Sequence, residues 1–215
     1  MSTILEQLQE IIIAGMPKQA KELATQALAE DVAPLVAIED ALNPGMQIVG
    51  DKYESGEYFI PDLVMSAEAM KAAMAVFEPE LMARKEKRQV LGTVVIGTVE
   101  GDIHEIGKSL VATMLAASGF QVHDLGVDVP AATFVKQVQE KGANVVGLSA
   151  LLTTTMRNQE VVIDALKEAG LRDTVKVVIG GAPASPEWAE TIGADAYAEN
   201  ANESVGVVKE LLGVG

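Results

Sequence analysis

The chain predicts an α/β protein, with an N-terminal helical bundle followed by a flavodoxin-like, Rossmann-like five-stranded parallel sheet with flanking helices. Three observations predict it. Apolar residues first recur at helical spacing with no strand pattern between them. The period then changes, and short apolar runs alternate with helical patterns, which means a parallel sheet covered on both faces. Finally, five such βα units in ~125 residues match a doubly wound sheet of order 2-1-3-4-5.

The elements follow in order. Thr3 and Glu6 form a capping box, and Ile4, Leu8, Ile11 and Ile12 make a stripe ending at Gly15. Pro17 opens a second helix carrying Leu23, Ala24, Ala27 and Leu28. Pro34 opens a third, which Asn43, Pro44 and Gly45 are expected to break. A short fourth segment carries Met46, Val49 and Tyr53 and stops at Ser55 and Gly56. Pro61 starts a long helix through Val64, Met65, Ala69, Ala73, Met74 and Phe77. The charged stretch from Ala83 to Gln89 reads as a linker, giving domains of 1–88 and 89–215. Strands are expected at Val90–Val99, Phe120–Leu125, Asn144–Ser149, Val175–Ile179 and Ala194–Ala198. The helices between and after them are expected at Ile106–Ala117, Ala131–Lys141, Thr155–Ala169, Pro186–Ile192 and Glu203–Leu212.

Composition narrows the function. The 215 residues include no cysteine, so disulfides, thiolate metal sites and a cysteine nucleophile are excluded. The net charge of −15 argues against nucleic acid or an anionic membrane as partner and leaves an acidic surface for basic patches on other proteins. The N-terminus lacks a basic region, so it does not read as a signal peptide, and no apolar run approaches the ~20 residues that span a bilayer. A cytoplasmic protein is expected.

In such sheets ligands bind outside the strand carboxyl ends, where strands one and three diverge. Strand one ends at Asp102 and His104, one of only two histidines in the chain. Strand three ends at Ser149 and Leu151, with Thr153, Thr154 and Thr155 beyond. Strand four ends at Gly180, Gly181 and Ala182, a lane without bulky side chains in which a large planar group can approach the backbone. A loop histidine alone is more often structural than ligating. This one has a carboxylate two residues before it, and small polar and glycine residues at the two neighbouring strand ends, which favours a metal over strand one. The stretch from Gly101 to Ser109 misses the phosphate-loop spacing by one residue, and Asp102 and Glu105 would repel phosphates. A receiver domain gathers acids at this turn without a histidine between. His123 reads as a strand-end residue near the rim, and Trp188 as packing.

Together these residues closely resemble the cobalamin-binding signature Asp-x-His-x-x-Gly, Ser-x-Leu, Gly-Gly, as Asp102-x-His104-x-x-Gly107, Ser149-x-Leu151 and Gly180-Gly181. The stretches from Gly45 to Asp51 and from Phe59 to Pro61 are similar to the cap module of methionine synthase and of the corrinoid proteins of anaerobic methyltransferase systems. The compact size resembles the latter.

The resemblance implies a cobalamin or other corrinoid cofactor, cycling between cob(I)alamin and methylcobalamin, with His104 as lower ligand of cobalt. It implies that Asp102 hydrogen-bonds the other imidazole nitrogen and that Thr155 completes the relay where methionine synthase has serine. Gly101, Ile103, Glu105 and Gly107 join the cofactor contacts. The nucleotide tail displaced by the histidine would run past Ser149, Leu151, Thr153, Gly180, Gly181 and Ala182. From the bundle, Tyr53, Phe59, Ile60 and Leu63 match the apolar residues over the upper cobalt face, with tyrosine at a normally Phe-like position, and Glu39 matches a contact to the corrin edge. The implied partners are a substrate-specific methyltransferase for methylamine, methanol, betaine-type or methoxy-aromatic donors, an acceptor methyltransferase using tetrahydrofolate or a thiol, and a reductive activator. The chain alone is not expected to turn over substrate. A subunit of an adenosylcobalamin mutase, and a cobalamin-dependent regulator, are the alternative readings.

Overall fold

Two compact units, Met1–Gln89 and Val90–Gly215, divide the chain. The computed structural model describes residues 3–84 and 90–214. In the first unit, α1 (Ile4–Ile13) begins with the expected capping box: Glu6 N donates to Thr3 Oγ1, and Thr3 N donates to Glu6 Oε2 at 2.7 Å. Then come α2 (Pro17–Ala29), α3 (Pro34–Ala37), α4 (Asn43–Glu54) and α5 (Ile60–Arg84). Leu8, Ile12, Ala24, Leu42, Phe77 and their neighbours are buried.

The expected break at Asn43, Pro44 and Gly45 does not occur. A π-turn at Ile38–Leu42 joins α3 directly to α4. The wider turn shifts the hydrogen-bond register just ahead of Pro44, so the missing proline N–H falls at the start of α4, where it costs least. Gly45 lies against α1, where an added Cβ would sit 3.2 Å from Ile12 Cβ. The expected linker begins too early, because Ala83 and Arg84 are the last residues of α5; the rest of it, residues 85–89, lies outside the described residues.

The second unit is a five-stranded, wholly parallel sheet of order β2-β1-β3-β4-β5. Its strands are β1 (Thr93–Thr98), β2 (Gln121–Asp124), β3 (Val145–Ser149), β4 (Lys176–Gly180) and β5 (Ala196–Tyr197). All are shorter than the apolar runs that predict them, except that β4 extends to Gly180. Residues such as Val90 and Ala194 are apolar without being paired. The connecting helices α6 (Ile106–Ala117), α7 (Ala131–Lys141) and α9 (Pro186–Ile192) have the expected limits. Two helices start earlier than expected: α8 (Thr153–Glu168) at an extended Leu152, and α10 (Ala201–Leu212) at Asn200. The Asn200 side chain accepts from the Asn202 and Glu203 backbone N–H groups, a cap that Glu203 alone does not mark. Helices α7, α8 and α9 close a core containing Val95, Val146, Phe134, Val162, Leu166 and Val177.

The positions that matter lie at the carboxyl ends of the strands. Register pairs Thr98 with Ser149 and Ser149 with Gly180, so three strands end side by side. His123 is the penultimate residue of the edge strand β2. It lies opposite Val95, where burial and the Lys141 charge hold its imidazole below the ordinary value.

Candidate functional site

The turn after β1 is built around one buried carboxylate. Asp102 is 0 % exposed and every bond it makes is to a named donor. Its Oδ1 accepts from the His104 backbone N–H at 3.0 Å and lies 2.7 Å from His104 Nδ1. Its Oδ2 accepts from the Leu151 backbone N–H at 2.8 Å and from Thr155 Oγ1 at 2.6 Å. Burial pushes the carboxyl up. The bonds from the Thr155 hydroxyl, the His104 and Leu151 backbone and the His104 ring outweigh it and hold Asp102 well below the usual carboxylate range. Asp102 is therefore ionised and can only accept, so in the neutral imidazole tautomer that this contact selects, His104 Nδ1 carries the proton and Nε2 the lone pair. The His104 side chain is 46 % exposed.

The backbone of this turn is held from both sides. Thr98 Oγ1 donates to the His104 carbonyl at 2.9 Å. Asp128, with φ of 53°, accepts the Gly101 N–H on Oδ1 at 2.7 Å and donates its own N–H to the Asp102 carbonyl at 2.9 Å. Asn158 donates to the Glu100 carbonyl. Lys108, with a fully buried side chain, pairs with Asp124 and lies 3.5 Å from Glu105 Oε1. Asp124 Oδ1 also accepts the Gly126 N–H, and its pair with Lys108 ties the start of α6 to the end of β2. Asp128, Asn158 and Lys108 are not singled out by sequence reasoning. Asp128 carries one usable signal, its place in the loop after β2, beside the switch point.

The expected residues fall into three groups. Asp102, His104, Leu151 and Thr155 are brought into one hydrogen-bonded cluster, with Leu151 contributing its backbone rather than its side chain. Ser149, Gly180 and Gly181 line the neighbouring strand ends. Gly181 has φ of 114°, and a Cβ there would sit 1.8 Å from the Ala150 carbonyl oxygen, so no other residue fits. Gly101 also has positive φ, whereas Gly107 has open space beside it. Thr153, Ala182 and Glu105 are exposed near these ends. Glu39, Tyr53, Phe59, Ile60 and Leu63 belong to the helical unit. There Glu39 is exposed, Tyr53 is half-buried, Phe59 is 67 % exposed and Leu63 is fully buried.

Apolar side chains crowd the surface around His104. Ile103 and Ile106 are each about three-quarters exposed, and Leu151 and Leu152 are also exposed. A wet apolar rim around an oriented imidazole suits a large, flat, apolar ligand that is ligated at its centre.

Comparison with known proteins gives a consistent result. The family model described as a B12 binding domain matches residues 92–206, and a second B12 binding domain model matches residues 4–78. The chain is 48 % identical over 209 residues to dimethylamine corrinoid protein 1 of Methanosarcina mazei, covering 97 % of this chain and 96 % of that one. It is 48 % identical over 211 residues to the trimethylamine corrinoid protein of Methanosarcina barkeri, covering 98 % and 97 %. Among solved structures, a chain of the methanol:cobalamin methyltransferase complex from Methanosarcina barkeri superposes with a TM-score of 0.90 at 30 % identity, over 98 % of this chain and 80 % of that one. A cobalamin-binding protein from Desulfitobacterium hafniense superposes with a TM-score of 0.75 at 35 % identity, over 96 % and 97 %.

Proposed function

This chain belongs to the B12-binding family, and we propose that it is a corrinoid methyl carrier, passing a methyl group from a substrate-specific methyltransferase to an acceptor methyltransferase. The observation that carries the reading is the Asp102–His104 pair, which fixes the imidazole tautomer and turns Nε2 outward. The surroundings fit a corrin. Ile103, Ile106, Leu151 and Leu152 offer an apolar rim, Gly107 leaves space, and among the described residues the Ser149 hydroxyl has no protein partner. When bound, the corrin supplies a cobalt centre able to accept and release a methyl group.

The protein's part is ligation and proton control. His104 would ligate cobalt through Nε2 while its Nδ1–H donates to Asp102 Oδ1. With no metal on it, Nε2 could take a proton, and the buried Asp102 carboxylate would stabilise the imidazolium. The Thr155 hydroxyl lies 2.6 Å from Asp102 and 3.0 Å from the Leu152 carbonyl. Its single hydrogen goes to the charged, nearer acceptor, which keeps Asp102 in place through the change. Tyr53, Phe59 and Ile60 keep the shielding role that the family resemblance implies, while the fully buried Leu63 acts as a core residue.

The 48 % identity to two methylamine corrinoid proteins, against 30 % to the chain from the methanol system, favours a methylated amine as donor. Tetrahydrofolate or a thiol serves as acceptor, and a reductive activator restores the carrier after oxidation. Reconstitution with cobalamin followed by absorbance spectroscopy tests the ligation. The wild type is expected to show the base-off, histidine-ligated spectrum and His104→Ala to lose it. An unchanged spectrum in the variant would falsify the assignment. Transfer from a panel of methylated amines and methanol, with purified partner enzymes, tests the donor.

A further inference from the structure

We propose that Gln159 and Trp188 form a buried brace that sets the width of the slot between the β3 and β4 ends, and so makes the protein selective for corrinoids that carry a nucleotide tail. Gln159 is a positioning residue in this role; it acts through Gly180. The inference rests on the reading above that the tail of the cofactor enters the lane past Ser149, Gly180 and Gly181.

A glutamine on the core-facing side of α8 is costly unless every polar atom is paired. Gln159 is 0 % exposed and is fully paired. Its Nε2 donates to the Leu148 carbonyl at 3.0 Å and to the Gly180 carbonyl at 3.1 Å. Its Oε1 accepts from Trp188 Nε1 at 3.0 Å. One side chain therefore joins β3, the last residue of β4 and the helix that follows β4.

The contact falls where the sheet ladder runs out. Beyond Ser149 and Gly180 the remaining backbone bond is from Ala150 N to the Gly180 carbonyl, at 3.2 Å. Gly181 then passes so close to the Ala150 carbonyl that no Cβ fits between them. Two strand ends held by one long backbone bond would drift apart or together with little resistance. The second bond to the Gly180 carbonyl, from Gln159, fixes that spacing from beneath. Trp188 in turn fixes the amide of Gln159: the indole N–H can only donate, so the amide oxygen must face it and the NH2 must face the two carbonyls. The indole packs against the apolar core as well, which makes it a rigid anchor.

His104 lies outside this brace, because its support comes from Asp102, Thr155 and Asp128. Weakening the brace should therefore leave ligation of the corrin intact and disturb only the part of the ligand that enters the slot. The test compares cobalamin with cobinamide, the same ring without the nucleotide tail, in binding titrations followed by absorbance. The wild type is expected to bind cobalamin more tightly. Gln159→Met keeps the bulk and removes the amide, and about a ten-fold loss for cobalamin is expected from the cost of ordering the unbraced slot on binding, with cobinamide unchanged. Trp188→Phe removes only the indole donor and should shift selectivity the same way by a smaller factor, which keeps the test alive if Gln159→Met does not fold. Equal weakening for both corrinoids, or no change for either, in a folded variant overturns the proposal. A wild type with no preference between the two ligands, or without the histidine-ligated spectrum, refutes instead the reading on which the proposal rests.

Discussion

Thr155 Oγ1 donates to Asp102 Oδ2 at 2.6 Å across 53 residues of chain, so the start of α8 holds the carboxylate that orients the turn after β1. The bond is buried and ends on a charge, the setting in which a hydrogen bond contributes most. Thr155→Val should cost about 1.5–3 kcal/mol of unfolding free energy. Thr155→Ser keeps the hydroxyl and should recover most of it. Chemical denaturation of the cofactor-free protein distinguishes the two, and equal losses would show that the methyl group, not the hydroxyl, matters.

The glycines at the site are expected to separate into two kinds. Gly181→Ala forces a Cβ to 1.8 Å from a backbone oxygen at φ of 114°, and neither can relax cheaply. It should destabilise the protein by roughly 3 kcal/mol or more, or prevent folding. Gly107, in the first turn of α6, has no protein atom near its would-be Cβ. Gly107→Ala should leave the cofactor-free protein as stable or raise its stability by roughly 0.5 kcal/mol, while weakening corrinoid uptake. Thermal unfolding and an absorbance titration on the same variant check both halves; uptake equal to wild type would mean that the glycine is not kept for the ligand.

Lys108 gives a third prediction. Its ammonium is buried, whereas the side chains of its partners Asp124 and Glu105 are 34 % and 59 % exposed, so removing the lysine forfeits a charge-assisted hydrogen bond and leaves the carboxylates to water. Lys108→Met should destabilise by roughly 1–3 kcal/mol. The double variant with Asp124→Asn should lose less than the sum of the two single losses. Additive losses in that cycle would show the contact to be energetically idle.

Much of this was legible in the chain. The alternation of apolar runs and helical patterns predicts the parallel sheet and its order, because parallel strands buried on both faces must be apolar throughout and must be joined by helices. The errors were at boundaries. Asn43, Pro44 and Gly45 look like a helix end, but a π-turn carries the helix through them. Thr153 and Thr154 look like loop, but an extended Leu152 starts α8 ahead of them. In both cases the backbone geometry at the helix start, which the residue types do not announce, set the boundary.

The amino-acid sequence alone determined where the candidate site sits. Asp102, His104, Ser149, Gly180 and Gly181 stand at fixed distances from strand patterns, and strand ends converge whatever the detailed packing. Only the tertiary structure decided what holds them. Gln159, Lys108, Asp128 and Asn158 are ordinary polar residues on a helix or in a loop when read along the chain. Each acquires its role from a partner that folding brings close: Gly180 for Gln159, Asp124 for Lys108, Gly101 for Asp128 and Glu100 for Asn158. A periodic pattern shows which face of a helix turns inward, but the pairing of a buried polar atom depends on three-dimensional distance and leaves no periodic trace.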